Sequence, residues 1–220
     1  MKTTTTMLRA LPRLLPAAAL VLATTLLLAG TAAALEPADK VEASASNVEV
    51  MQTQSTLGSS SSEAVLLRGT MRTSSPTDLV IHVTAETGLY TAVTVLGTSD
   101  AEARARILVW VEIDGVPVPV TADGNGDGVF DDPDDGRVVF NNRDQGLSSV
   151  NLPAILTAYE RTRSANAFNW VALNVGPGIH SIVVKGRLET AALVAAASTA
   201  AVGKRTMVAV PSKLANDVTI

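Results

Sequence analysis

Residues 123–134 read Asp-Gly-Asn-Gly-Asp-Gly-Val-Phe-Asp-Asp-Pro-Asp, a stretch whose residue types and spacing point to a defined chemistry. Asp123, Asn125 and Asp127 alternate with glycines. A tightly turned backbone of that kind aims side-chain oxygens at one centre. Asp131 and Asp134 add further carboxylates. Four carboxylates around one point repel one another unless a cation sits among them. The donors are all oxygens, which suits a hard cation such as calcium, with its roughly six to eight oxygen ligands.

The segment resembles an EF-hand-type calcium loop. Its closing Asp makes it most similar to the calcium loops of dockerin modules and other bacterial extracellular proteins. The resemblance implies that Asp123, Asn125 and Asp127 bind through side chains, with the sharp bend at Gly128 and a backbone carbonyl from Val129. It also implies ligands from Asp131 and Asp134, with Phe130 as an apolar plug. It covers the loop alone. The flanks Val116–Val120 and Val138–Phe140 read as strands, and no second copy of the loop occurs. Calcium is therefore expected as a static brace for a long connection, the alternative being a solvated acidic hairpin without metal.

Other chemistries find less support. With no cysteine, the chain has no disulfide scaffold, thiolate zinc site, cysteine nucleophile or lipidated Cys. Two histidines, His82 and His180, are too few for a multi-histidine metal centre. A net charge of −4 argues against nucleic acid, which needs a basic footprint. No Gly-x-Ser-x-Gly elbow presents a serine nucleophile. His82 falls within a strand pattern and His180 at a hairpin corner, where each is expected to be solvated or locally hydrogen-bonded. Glu63, Glu86, Glu112, Glu160 and Glu189 fall in ordinary strand or helix settings, so no enzyme is expected. Trp110 and Trp170 are expected mainly in packing, with a sugar-stacking platform as the alternative. Tyr159, Arg161 and Arg163 cluster at the end of an expected helix, where a solvated face or favourable terminal charge is the plainer reading and partner binding the alternative.

The elements that must position these residues are largely β. Residues 1–34 carry Lys2, Arg9 and Arg13, an apolar run from Leu14 to Gly30 and the small residues Ala32–Ala34. That order makes a secretory signal peptide cleaved before Leu35, with an uncleaved anchor as the alternative. Cleavage would leave 186 of the 220 residues. The loss of three basic residues and no acid takes 17 basic residues to 14 against 21 acids, so a net charge of −4 becomes −7. Residues 35–62 are Ser/Thr-rich and read as a flexible leader, with a short strand at Val48–Met51. Residues 63–220 form the domain, with the loop 121–136 inserted.

Period-two alternation predicts strands over Ala64–Thr73, Leu79–Thr87 and Leu89–Leu96, the last two separated by a break at Gly88. It predicts further strands over Ala103–Ile113, Val138–Phe140, Phe168–Val175, Ile179–Thr190 and Thr206–Val210. Asp114-Gly115 is a turn signal. Leu152, Ile155, Leu156 and Tyr159 fall at helical spacing, predicting one short helix near 152–163. Ala191–Ala201 reads equally as helix or strand. The segment Leu173–Val184, with its Gly-Pro-Gly corner, His180 and alternating valines, resembles a late hairpin of secreted immunoglobulin-like and jelly-roll domains.

The expected fold is thus an all-β antiparallel sandwich, jelly-roll or immunoglobulin-like. The expected protein is secreted, extracellular or periplasmic, and non-enzymatic: a surface, matrix or adhesion-type binding module with a structural calcium site. Its alternatives are a carbohydrate-binding module and, less favoured, a secreted hydrolase. Its expected partners are calcium and an extracellular polysaccharide or another surface protein, with no nucleic acid and no membrane after signal cleavage.

Overall fold

Side chains that alternate in polarity can bury one face of a strand and leave the other wet, so two such sheets close face to face around a shared interior. The computed structural model describes residues 39–55, 58–95, 100–119, 136–147, 156–192 and 196–213. The expected signal peptide, the ligands of the acidic loop and residues 152–155 of the expected helix lie outside them. Among the described residues every regular element is a strand: β1 Glu42–Ser46, β2 Glu49–Ser55, β3 Gly58–Thr73, β4 Thr77–Val95, β5 Ala101–Ile113, β6 Val116–Pro117, β7 Val138–Leu147, β8 Leu156–Val175, β9 Gly178–Ala192 and β10 Ala196–Ser212.

The first sheet has the order β1-β10-β4-β8, with β2 also on β10, and the second β3-β9-β5-β6, with β7 also on β5. β1 pairs with residues 205–209 of β10 and β2 with residues 196–202, so the two are halves of one interrupted edge strand. β6 and β7 likewise follow one another along the same strand, β5. With these halves joined, the first strand pairs with the last, the second with the seventh, the third with the sixth and the fourth with the fifth. That nested antiparallel pairing is a jelly roll, and it decides against the immunoglobulin-like alternative.

Three expectations are corrected. The segment expected as helix near 152–163 is strand from Leu156 onward, paired with β4 from Val95↔Leu156 to Gly88↔Arg163. A helix of two or three turns is marginal by itself, whereas the edge of β4 offers a complete hydrogen-bonding ladder. The expected flexible leader supplies β1, β2 and the start of β3, because its Ser and Thr backbone groups find partners on β10 and β9. Gly88 does not break a strand. It sits inside continuous β4, opposite Ala201 and Arg163. The ambiguous Ala191–Ala201 stretch supplies the end of β9 and the start of β10.

The interior is anchored by Leu79, Ile81, Val83, Val109, Val111, Trp170, Ile182, Val184 and Met207, all buried. Arg205, also buried, donates to the carbonyls of Leu66 at 2.6 Å and Val202 at 2.7 Å and to Ser46 Oγ at 3.1 Å. It thereby ties β1, β3 and β10 where the β10 register shifts between Gly203 and Thr206.

Candidate functional site

The stems of the acidic loop are built into the second sheet. Asp114 and Gly115 both have positive φ, 53° and 83°, the geometry of a tight hairpin turn that returns the chain from β5 into β6. The Val118 N–H then donates to the Val111 carbonyl at 2.9 Å, carrying the pairing past β6 to the loop entrance. The chain re-enters at Gly136, which is buried. A Cβ at Gly136 would lie 2.2 Å from the Val118 carbonyl oxygen, so only glycine permits this approach of the two stems. The Gly136 carbonyl accepts a hydrogen bond from Trp170 Nε1 at 2.8 Å. Entrance and exit of the loop are thus in contact, and the exit is fastened to a core residue. The ligand positions Asp123, Asn125, Asp127, Val129, Asp131 and Asp134 lie outside the described residues.

Both tryptophans are in packing, which removes the sugar platform considered for them. Trp170 is 0% exposed, edge-on to Phe168 at 5.0 Å and stacked with Phe140 at 6.3 Å. Trp110 is 2% exposed although it points to the outer face of its sheet. The guanidinium groups of Arg137 and Arg187 lie over its ring at 5.4 and 5.6 Å, and its Nε1 donates to Glu112. The arginine stems cover the ring that alternation alone leaves outside.

The histidines are held locally. His82 Nδ1 lies 2.7 Å from Asn169 Oδ1 on an exposed face. His180 Nδ1 lies 2.7 Å from Asp114 Oδ2, and its Nε2 lies 2.9 Å from the Gly176 carbonyl and 3.2 Å from Thr73 Oγ1. Burial alone would raise the Asp114 carboxyl. The hydrogen bonds from His180 and the Ser181 N–H, with the electrostatic attraction of His180, outweigh it and hold that carboxyl below its usual range. This cluster clasps the β5–β6 turn to the β8–β9 turn. The five glutamates are all ion-paired, with Arg187, Lys204, Lys185, Arg143 and Arg106 as partners of Glu63, Glu86, Glu112, Glu160 and Glu189. For Glu112, burial is outweighed by hydrogen bonds from Lys185 and Trp110, and its carboxyl also sits below the usual range.

Two further outer surfaces carry charged or aromatic groups. A groove of about 640 Å³ crosses the second sheet, lined by Ser59, Ser61, Arg104, Arg106, Asn142 and Asp144 among others. Its cations are matched internally: Arg106 meets Glu189 at 2.6 Å, and Arg104 meets Glu102 at 3.0 Å and Asp144 at 3.6 Å. On the outer face of the first sheet, Tyr90 and Tyr159 stand with ring centroids 6.2 Å apart, and the Arg161 guanidinium lies 5.6 Å from the Tyr90 centroid. The sequence pointed to Tyr159, Arg161 and Arg163 but not to Tyr90. Only the β4–β8 register brings it beside them.

No protein-family model matches the chain, and no curated protein matches it. Among solved structures it is similar to TmCBM61 in complex with beta-1,4-galactotriose, at 11% identity and a TM-score of 0.16, over 76% of this chain and 86% of that one. It is also similar to the structure of infectious bursal disease virus Gx strain, at 12% identity and a TM-score of 0.20, over 78% of this chain and 39% of that one. Neither likeness bears on ligand or partner.

Proposed function

We propose that this chain is an exported, non-enzymatic jelly-roll binding module with a calcium-braced loop. Asp123, Asn125, Asp127, the Val129 carbonyl, Asp131 and Asp134 would hold the ion, and the braced sandwich would present a surface to an extracellular polysaccharide or another surface protein. The observation that carries this reading is the closed stem at Val118 and Gly136, fastened through Trp170 Nε1. A loop whose ends already meet has its closure entropy met by the fold. Gathering the carboxylates then needs only the cation that cancels their repulsion.

Calorimetric titration and thermal melts of the protein, with calcium and with chelator, test it. Calcium at about a hundred times its Kd should stabilise the fold by about 2.7 kcal/mol. Asp127→Ala should abolish that increment while leaving the melting temperature in chelator unchanged. No heat of binding and no shift at millimolar calcium would remove the brace.

A further inference from the structure

We infer that the outer face of the first sheet around Tyr90, Tyr159, Arg161 and Arg163 is a binding site for a uronate-bearing polysaccharide. This deepens the binding-module reading by naming a ligand class, and it does not depend on the calcium loop.

Tyr159, Arg161 and Arg163 point outward from alternate positions of β8, all three exposed. Alternate residues of a strand are about 6.7 Å apart, so the three form a row about 13 Å long. That length suits an extended polymer better than a compact small molecule. Across the row, β4 places Ala92 opposite Tyr159, Tyr90 opposite Arg161 and Gly88 opposite Arg163. The next strand, β10, adds Ala197, Thr199 and Ala201 at the same levels. The floor is therefore low, and a Cβ at Gly88 would meet only the carbonyl oxygens of Ala201 and Thr162, at 3.9 Å. The aromatic rings stand above it.

The chemistry of the row is that of a charged sugar chain. Tyrosine rings offer flat apolar faces to the C–H faces of pyranoses and a hydroxyl rim to their polar edges. Arginine presents a planar fork that matches a carboxylate bidentately. Arg161 and Arg163 have no carboxylate partner among the described residues. Glu86 on this face is engaged by Lys204, and Glu160 turns to Arg143. In a chain of net negative charge, two arginines without a carboxylate partner among the described residues, beside exposed Tyr159 and half-buried Tyr90, focus an acidic ligand at one place. The sheet-two groove has no such surplus, since its arginines are already matched. A purely structural tyrosine pair would stabilise the sheet. It would not need Tyr159 to be 66% exposed or a guanidinium stacked on its partner.

The test is binding of the full chain to hyaluronan oligosaccharides, a regular glucuronate polymer that calcium does not gel, against neutral dextran and dextran sulfate. Hyaluronan should bind about tenfold or more tightly than dextran, and Tyr159→Ala and Arg161→Ala should each weaken it about tenfold. Tyr159→Phe should retain binding, and Arg161→Lys should restore only part of it. Melting temperatures of the variants verify folding. Equal binding of dextran, no binding of hyaluronan, or affinity indifferent to Tyr159→Ala and Arg161→Ala in folded protein would overturn the site. Tighter, Tyr159-independent capture of dextran sulfate, or capture of polyglutamate in place of hyaluronan, would overturn it as well. Each measurement is repeated in chelator. Binding that persists while the calcium-dependent melt fails removes the brace and keeps this site, and the reverse removes the site and keeps the brace.

Discussion

At one end of the sandwich, Ile81, Val83, Val111, Trp170, Ile182 and Val184 fill the space between the sheets. At the other end the inward positions mix buried Leu89, Val93 and Leu188 with Thr87, Thr91, Ser198 and Thr190, with Ala101 and Ala103 among them. There Asn141 donates to Thr87 Oγ1, Arg143 to Thr162 Oγ1, and Thr53 and Thr190 share a hydrogen bond. Arg143 Nη1 and Gln145 Oε1 have no protein partner among the described residues. The first end gains mainly from apolar area removed from water, the second from a smaller apolar area together with hydrogen bonds whose net worth is small. The acidic loop is fastened to the apolar end through Trp170, and the Tyr90–Arg161 face overlies the polar end. Stability concentrated at one end leaves the other free to be polar, open and adaptable to a ligand.

The comparison can be broken at three points. Trp170→Ala should be the most costly, by about 3–5 kcal/mol in denaturant unfolding, because it leaves a cavity and strips the Gly136 carbonyl of its donor. Arg143→Met at the polar end should cost little or be stabilising, within about 1 kcal/mol of wild type, because the buried guanidinium keeps one nitrogen unpaired and its ion-pair partner Glu160 is exposed and can return to water. A penalty as large as that of Trp170→Ala would show that the polar end is as tightly coupled as the apolar one.

The smallest effect concerns the clasp over the apolar end. Asp114 has its carboxyl pKa held below its ordinary 3.8, so it contributes stability above that value and loses it as the pH falls through the lowered pKa. Melts of wild type and Asp114→Asn should therefore differ near neutral pH and converge in strong acid. Asparagine tolerates the left-handed backbone at this position, so the turn itself should persist. Curves that stay parallel to the lowest pH would remove the clasp.

Much of the fold was legible. The alternation in β3, β5 and β9 and the Asp114-Gly115 turn are local properties, set by side-chain periodicity and backbone preference. Residues 156–163 misled because their apolar spacing fits a helix as well as a strand, and the partner that decides is far away in sequence. Residues 42–62 misled because a Ser/Thr-rich segment has little side-chain burial to offer, and its backbone hydrogen bonds are completed by other strands. The packing expected for Trp110 comes from arginines of two other segments, Arg137 and Arg187, which no local pattern reveals.

By itself, then, the sequence determined a largely β chain without disulfides, the Asp114-Gly115 turn and a loop rich in carboxylates and glycines. Only the tertiary structure decided that the sandwich is a jelly roll, that the loop stems meet at Gly136, that both tryptophans are covered, and that Tyr90 joins Tyr159 beside two arginines. The reason is physical. Periodicity and turn chemistry act over a few residues, whereas strand partners, close backbone approaches and the covering of a ring depend on groups that only the folded register brings together.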